Sequence, residues 1–342
     1  MGATARKGSS AEAAGAGSTP CSLAVNRVFL LEGVLLLKPP VNWFRMSTAI
    51  LACSLLVMAI VAPCAIIAAD TAPAARPLAI VDQTGVAIKL ERAPERIVSL
   101  APSNTEILFS LGLGSKIVGV TTACDFPAEA KAIDKVGDYN INIEAVVAKH
   151  PDLIVAVADL QMAVIEKLRQ LKLNVVAVNP STVEEVFSAI QLIGDVAGRS
   201  DAAKARVSEL RARMAAVEKR AAGIPASQRP AVFVEIWNDP LMTCGKGTFV
   251  NDLVSGAGGR NIFGAVDGWP QISSESVIAA RPNVIILTAY NRSEVMGRRE
   301  WRQVPAIVRE QVYEIVPDLL VRPGPRLIDG LEALADIFSK AK

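Results

Sequence analysis

Short apolar runs alternate with helical patterns along the chain after residue 95. Runs rich in Val, Ile, Leu and Ala predict buried strands, and the stretches between them carry apolar residues at the three- and four-residue spacing of a helix. Strands without polar alternation are typical of a parallel sheet whose two faces are both covered by helices. The pattern therefore predicts an α/β fold with mostly parallel central sheets. The predicted strands are 96–100, 117–120, 153–156, 175–178, 231–235, 284–287 and 312–316.

A different pattern precedes this alternation. Residues 78–81 and 86–90 are short β-prone runs on either side of Asp-Gln-Thr-Gly at 82–85, a sequence typical of a turn. We therefore predict that residues 76–94 form an N-terminal hairpin.

One predicted helix, residues 201–222, is longer than the others. It contains neither Gly nor Pro and is rich in Ala, Arg, Glu, Lys and Leu, which are good helix formers. At a rise of about 1.5 Å per residue it would span about 33 Å. Ser200 is expected to cap it. Because it lies between two strand-containing halves, we interpret residues 183–222 as connecting helices, with 201–222 as a backbone helix that joins two lobes.

One stretch of sequence occurs twice, once in each half. Residues 144–155 (EAVVAKHPDLIV) are similar to residues 275–286 (ESVIAARPNVII). In both copies a glutamate opens a short predicted helix and a proline precedes the next strand. A repeat of this length predicts two similar lobes, residues 95–182 and 229–342. Two rigid lobes would form a cleft between them, which is a preferred place for a ligand.

The first part of the chain has the pattern of a secretion signal. Residues 48–69 are apolar and almost uncharged, Arg45 precedes them, and small residues follow. We predict a cleaved signal peptide at 46–75, which directs the protein to the periplasm or outside the cell, and an upstream extension at 1–45. An uncleaved membrane anchor is the alternative, and lipid attachment at a leader cysteine stays open.

Charge and the histidine count exclude several classes of protein. The 36 basic and 34 acidic side chains leave a formal net charge of +2, so the chain has no electrostatic footprint for nucleic acid. His150 is the only histidine, which excludes a metal centre built from two or more imidazoles. We predict no metal site and interpret His150, at the end of a predicted helix, as structural.

Two cysteines follow the predicted leader, Cys124 and Cys244. Two thiols are too few for a disulfide framework. Three interpretations stay open, namely a bridge between the lobes, thiolate ligands for a metal, or two free thiols.

The sequence lacks the catalytic motifs of common α/β enzymes. It has no nucleophile elbow, no Walker loop and no Gly-x-Gly-x-x-Gly after a predicted strand. The rival hypothesis is a secreted α/β enzyme that uses Asp125 and Asp318 as an acid/base pair. We predict a binding protein and not an enzyme.

Five motifs spread over the predicted lobes carry a family resemblance. They are RIVSLAPSNTE at 96–106, DFP at 125–127, NIEAVVAKHPDL at 142–153, WPQISSE at 269–275 and RPGPR at 322–326. Together they resemble the periplasmic binding proteins with a helical backbone, which serve importers of vitamin B12, ferric siderophores and haem. The resemblance runs from about residue 95 to the end of the chain.

Within that family the sequence is most similar to the cobalamin receptors. The resemblance implies a monomeric extracytoplasmic receptor that captures cobalamin or a related corrinoid and has no resident cofactor. It also implies that the receptor hands its ligand to the permease dimer and ATPase of an ABC importer. This chain has Ala123 and Val157 where the resemblance would have cleft aromatics. A ferric siderophore or haem receptor of the same fold therefore stays as the alternative.

Four aromatic residues are predicted to contact the ligand. Trp237 and Trp269 lie in loops after strand or turn signals, and large aromatic rings suit the flat apolar faces of a corrin. The resemblance implies a place in the cleft for Trp269 and Tyr139. Phe126, in the DFP motif, completes the set.

Three polar residues are predicted beside these aromatics. The resemblance implies that Asp318 and Arg322 are cleft residues able to bind ligand amides, and Asp125 is the acid of the DFP motif. Asp318 and Arg322 are four residues apart in the sequence, so a structural ion pair between them is the alternative.

The repeated acids Glu144 and Glu275 are predicted to dock on the transporter. The resemblance implies that the matching acids of the two lobes meet arginines of the permease. A second role is compatible with the first, because a negative charge near a helix N-terminus stabilises the helix.

Overall fold

The computed structural model describes residues 78–289 and 291–341, which form two α/β lobes. The predicted extension and signal peptide, 1–45 and 46–75, lie outside the described residues. Within the described part, no helix is both long and apolar enough to cross a bilayer.

An antiparallel hairpin begins the described chain. Strand β1 (Leu78–Val81) pairs with β2 (Ala87–Leu90). Its turn reaches the first lobe, where the N–H of Gln83 donates to the carbonyl of Ala177 at 3.2 Å. The hairpin therefore extends the first lobe and does not stand alone.

The sheet of the first lobe has four parallel strands joined by helices. The strands are β3 (Ile97–Ser99), β4 (Ile117–Val120), β5 (Leu153–Val157) and β6 (Val175–Val178). Their order across the sheet is β4-β3-β5-β6. The connecting helices are α1 (Pro102–Ser110), α2 (Ile143–Ala148) and α3 (Ala158–Gln170).

Two helices lead from the first lobe to the second, α4 (Val183–Val196) and α5 (Ser200–Ala222). The prediction that Ser200 caps the long helix was wrong, because the cap position is Arg199 and Ser200 already lies in the first turn. The turn after α4 is tight: Gly198 has a φ of 70°, and the N–H of Arg199 donates to the carbonyl of Gly194 at 2.6 Å. The backbone helix therefore begins one residue earlier than predicted.

The second lobe repeats the architecture of the first. Its strands are β7 (Ala231–Glu235), β8 (Trp237–Asn238), β9 (Leu241–Met242), β10 (Arg260–Asn261), β11 (Val284–Leu287) and β12 (Val312–Glu314). Its helices are α6 (Phe249–Gly256), α7 (Ser274–Ala280), α8 (Arg292–Met296), α9 (Pro305–Val308) and α10 (Leu327–Lys340). Strands β8 and β9 form a small antiparallel hairpin, and the other four form a parallel sheet of order β10-β7-β11-β12.

The two parallel sheets have the same topology. In each, the first strand of the lobe is central, the second lies on one side, and the third and fourth lie on the other. The local geometry of the sequence repeat is also shared, because His150 and Arg281, which precede the two prolines, both have a positive φ, of 46° and 49°. The predicted fold of two similar lobes joined by one long helix is confirmed.

The apolar core explains why the strands lack polar alternation. One face of the first sheet, with Val98 and Ile154, packs under its own helices, and one face of the second sheet, with Phe233 and Ile285, does the same. The opposite faces of both sheets belong to a single cluster that continues through α4, α5 and α10. Each strand is thus buried on both sides, which is typical of parallel sheets.

Candidate functional site

The carboxyl ends of the strands form a hollow in each lobe. In open α/β sheets, ligands bind at this edge, next to the point where the strand order reverses. In the first lobe that point lies between β3 and β5, and a cavity of about 220 Å³ is found there. Its walls include Leu100, Pro102, Thr122, Tyr139, Leu160 and Gln161.

Tyr139 stands on a tight loop beside this cavity. Gly137 precedes it with a φ of 127°, and a Cβ there would lie 2.6 Å from the carbonyl oxygen of Asn140. The carbonyl of Gly137 accepts a hydrogen bond from the N–H of Thr122 at 2.9 Å, which fixes the loop to the end of β4. The Tyr139 ring is 95% exposed, so nothing in the described chain covers it.

The second lobe has a larger hollow at the corresponding edge. It measures about 550 Å³ and is lined by residues that follow β11 and β12, among them Thr288, Asn291, Val316 and Pro317. Trp237 follows the central strand β7, next to the reversal in strand order, and its indole is 50% exposed. Its Nε1 donates to the carbonyl of Asp239 at 3.0 Å.

Trp269 lies on a segment that pairs with the residues after β9. The N–H of Gly245 donates to the carbonyl of Gly268 at 2.8 Å, and the N–H of Thr243 donates to that of Pro270 at 3.1 Å. One side of the Trp269 ring packs edge-to-face on Phe249, with ring centroids 5.4 Å apart. The indole keeps 39% of its surface exposed, so it is both anchored and open to a ligand.

Five charged residues join the two lobes in what we call the interlobe ion cluster. Its members are Glu106 and Asp125 from the first lobe and Asp318, Arg322 and Arg326 from the second. Arg322 Nη1 donates to Glu106 Oε1 and to Asp125 Oδ1, each at 2.9 Å. Arg326 donates to both carboxylate oxygens of Glu106, at 2.9 and 2.6 Å. Arg322 also pairs with Asp318 at 2.8 Å.

The environment of the cluster favours the ionised forms of Asp125 and Arg326. Burial alone would raise the pKa of Asp125, but the hydrogen bond from Arg322 and the attraction of its charge lower that pKa below the ordinary value. Hydrogen bonds to Glu106 raise the pKa of Arg326 above its ordinary value. The Arg326 guanidinium also lies over the Phe126 ring, 3.9 Å from its centroid.

The structure shows one of the two alternatives for Asp318 and Arg322, the ion pair, and leaves their predicted ligand contact a prediction. Asp318 and Arg322 do form the ion pair that their spacing suggested, and both also bind partners in the cluster. Asp125 binds Arg322, and the Phe126 ring lies under Arg326. A ligand in the cleft would therefore meet a cluster that is already paired.

A second buried pair lies at the end of β7. Arg298 donates through Nη1 and Nη2 to the two carboxylate oxygens of Glu235, each at 2.7 Å, and Nη2 also reaches Asn238. The Glu235 side chain is fully buried. This pair supports the loop that carries Trp237.

The two thiols are buried, and the histidine lies away from the hollows. Cys124 and Cys244 are both free and buried, so the interpretation of a bridge between the lobes was wrong. Burial raises the pKa of Cys244 to about 12, which keeps the thiol protonated. His150 follows α2 at the amino end of β5, the edge opposite the cavity. Among the described residues, no cluster of ligating side chains could hold a metal ion.

Glu144 and Glu275 occupy equivalent places in the two lobes. Each is exposed in the first turn of a short helix, α2 or α7, whose cap residue, Asn142 or Ser273, accepts from the N–H three positions on. Because a short connection joins the end of each helix to the next strand, each N-terminus lies towards the carboxyl edge of its sheet. Both acids therefore lie towards the edge of the sheet that carries the hollows.

Several residues of the site were not predicted as such. Glu106 is one of them. Its signal in the sequence is an acidic residue directly before Ile107 and Leu108, on a helix that faces the core. Gln161 is another: its Nε2 donates to the Leu100 carbonyl at 2.7 Å and its Oε1 accepts from the N–H of Val157. It ties together the two loops at the strand reversal, a contact with no local sequence signal.

Comparison with known proteins agrees with this architecture. The sequence profile described as "Periplasmic binding protein" matches residues 97–319, and the chain belongs to that family. It is a substrate-binding protein and not an enzyme.

Two curated relatives and one solved structure illustrate the similarity. The chain is 35% identical over 266 residues to the uncharacterized ABC transporter substrate-binding lipoprotein YvrC of Bacillus subtilis, covering 76% of this chain and 85% of that one. It is 30% identical over 252 residues to a vitamin B12-binding protein of Vibrio cholerae, covering 72% and 90%. The crystal structure of the periplasmic vitamin B12 binding protein BtuF of Vibrio cholerae superposes with a TM-score of 0.64 at 29% identity, covering 72% and 98%.

Proposed function

We propose that this protein captures cobalamin or a related corrinoid in the cleft between its lobes and delivers it to an ABC importer. The relatives named above are an ABC transporter substrate-binding lipoprotein and vitamin B12-binding proteins. Their names support the general class, an ABC transporter substrate-binding protein. The choice of a corrinoid depends on the chemistry of the site.

One observation carries the choice of ligand: the loops that follow the strands and turns of both lobes carry exposed aromatic rings, while the arginines of the interlobe ion cluster are already paired. Tyr139 belongs to the first lobe, and Trp237 and Trp269 to the second. A corrin has broad apolar faces and amide groups at its edge. Aromatic rings bury large apolar areas with few rotatable bonds, and paired polar groups can still accept or donate to amides.

The alternatives fit the same surface less well. An anionic siderophore needs several converging cations, but Arg298, Arg322 and Arg326 are each bound by a buried glutamate. Exposed Lys246, whose backbone pairs with the segment before Trp269, adds one further cation. Haem needs an axial ligand. Haem would depend on Tyr139, the phenol beside the first hollow, because in the described part of the chain the Tyr313 hydroxyl already donates to Gln311.

Each predicted segment of the chain has a role in this proposal. Residues 95–182 and 229–342 would act as the two ligand-binding lobes, and 183–222 as the connector. The signal peptide at 46–75 would export the chain to the periplasm or outside the cell, where a monomer would meet the permease dimer and its ATPase. Lipid anchoring is compatible with the name of the Bacillus subtilis relative.

The direct test is titration of the purified protein with cobalamin, haem and a ferric siderophore, followed by tryptophan fluorescence. Cobalamin should quench the signal with a dissociation constant between nanomolar and micromolar, about −12 to −8 kcal/mol. Trp269→Ala should weaken binding by about 2 kcal/mol, because it removes a half-exposed aromatic anchor.

Leu171→Ala is the matched control, since this exposed side chain follows α3 at the edge of the sheet opposite the hollows. It should leave the affinity unchanged. Tight binding of haem or siderophore without binding of cobalamin would refute the corrinoid proposal. Unchanged affinity in Trp269→Ala would assign that ring to packing alone.

A further inference from the structure

The interlobe ion cluster carries a net negative charge although it contains two arginines. Its three carboxylates, Glu106, Asp125 and Asp318, outnumber the guanidinium groups of Arg322 and Arg326 by one. The cluster borders both hollows: Ala123, two residues before Asp125, lines the first, and Pro317, directly before Asp318, lines the second. A ligand that spans the hollows would therefore meet it.

Glu106 is the central member of this cluster. It accepts three hydrogen bonds, one from Arg322 and two from Arg326, at distances of 2.6 to 2.9 Å. Its side chain is 2% exposed, compared with 52% for Asp125 and 26% for Asp318. Because water screens it least, Glu106 attracts the two guanidinium groups most strongly.

The helix that carries Glu106 holds it in place. Ile107 and Leu108, which follow it on α1, are buried in the core. Glu106 therefore cannot swing away from the arginines without disturbing the packing of α1.

An anionic ligand would have to compete with Glu106 for the same N–H groups. The carboxylate has already been desolvated in the folded protein and is bonded to Arg326 through both oxygens, the strongest geometry for this pair. A neutral ligand that offers amide oxygens needs only those guanidinium N–H groups that do not donate to Glu106. The cluster therefore favours neutral over anionic ligands.

We propose that Glu106 is a specificity-determining residue that excludes polyanionic ligands by occupying Arg322 and Arg326. The inference deepens the proposed function and rests on its placement of the ligand between the lobes. Glu106 acts through the arginines, so it is a positioning residue and not itself a ligand contact.

The test uses Glu106→Gln, which keeps the shape of the side chain and removes its charge. We expect the affinity for a ferric tris-catecholate complex, a polyanionic probe, to rise about tenfold or more relative to the unchanged protein. The gain should fall as salt is added, because it depends on charge. The double variant Glu106→Gln/Arg326→Gln should lose the gain, since it removes a guanidinium that Glu106→Gln releases.

Glu332→Gln is the matched control. Glu332 and Asp329 of α10 both bind Arg213 of the backbone helix α5, outside the two hollows, so this variant makes the same charge change in a similar ion cluster. It should leave the affinity for the probe unchanged. Asp125→Asn covers the case in which Glu106→Gln fails to fold, because it removes a half-exposed charge from the same cluster and should give a smaller gain in the same direction.

An equal gain in Glu332→Gln, or no gain in either Glu106→Gln or Asp125→Asn, would overturn the inference. The comparison is the ratio of probe affinities between variant and unchanged protein. It is therefore independent of cobalamin binding, on which the proposed function is judged.

Discussion

Asp82 shows how a single buried carboxylate fixes the N-terminal hairpin to the first lobe. Its side chain is fully buried and accepts from the N–H groups of Thr84, Val86 and Ala177 and from Arg169 Nη2 at 2.5 Å. Burial alone would raise the pKa of Asp82, but the hydrogen bonds from Thr84 and the backbone lower it below the ordinary value of 3.8. The folded state therefore prefers the ionised form.

We expect Asp82→Asn to lower the free energy of unfolding by about 2 to 3 kcal/mol, because it leaves Arg169 without its buried partner. Urea unfolding would measure this difference, with the free energy of unfolding falling at the same slope against urea concentration in the variant and in the unchanged protein. Because the pKa is lower in the folded state, the contribution is complete above the unfolded value of 3.8 and is lost as the pH falls through the folded value. The difference between variant and unchanged protein should thus shrink in acid.

Asp134→Asn is the control for this prediction. Asp134 pairs with Lys149 at the surface, where solvent screens the interaction, so no measurable loss of stability is expected. A loss as large as that of Asp82→Asn would contradict the role given to burial.

At the scale of elements, the backbone helix depends on close packing against the helix before it. Helix α5 is polar on most of its surface, and its fully buried side chains include Ala203 and Leu210. Opposite Ala203 lies Gly194 of α4, and a Cβ at Gly194 would overlap the Cβ of Ala203. The two helices approach this closely because one of the facing residues has no side chain.

Gly194→Ala should therefore destabilise the protein by about 1 to 3 kcal/mol, although glycine to alanine usually stabilises a helix by about 1 kcal/mol. Thermal or urea unfolding would measure it. The double variant Gly194→Ala/Ala203→Gly should recover part of the loss by moving the methyl group to the other helix. In the control Gly223→Ala, the added Cβ meets the Arg220 carbonyl at an ordinary 3.4 Å, so no comparable loss is expected.

At the scale of the whole molecule, the lobes share one apolar core and present their repeated acids in equivalent positions. The core is continuous from the strands of the first lobe through α4, α5 and α10 to those of the second. A continuous core resists large relative movement of the lobes, so their surfaces keep a fixed spacing. That suits the predicted docking, in which the two acids would meet a permease dimer together.

We expect Glu144→Lys/Glu275→Lys to abolish uptake in a reconstituted importer and to leave ligand affinity in solution nearly unchanged. Charges at an interface mainly set encounter rate and orientation, so reversing both should prevent docking. Uptake rate and fluorescence titration provide the two measurements. Glu166→Lys, a charge reversal at an exposed site on α3, should transport normally. Normal uptake by the double variant would leave the acids only their role at the helix N-termini.

Parts of the site could be predicted from the sequence because their signals are local. Trp269 belongs to the WPQISSE motif, the resemblance implied a cleft position for Tyr139, and both are exposed in the structure. The backbone helix was predicted to within one residue because its composition is uniform. Strands β8, β9 and β10 were missed, since each has only two residues and no apolar run.

By itself, the sequence determined the two-lobe fold. Strands buried on both faces leave continuous apolar runs, and helices with one apolar side leave a periodic pattern. Both can be recognised from neighbouring residues alone. It also determined the repeat, since both copies encode the same local geometry. Only the tertiary structure decided the state of the charged residues. Glu106 and Arg322 lie 216 residues apart, and nothing near either one shows that they meet. Coulomb attraction depends on distance and burial, and both are set only when the lobes pack together.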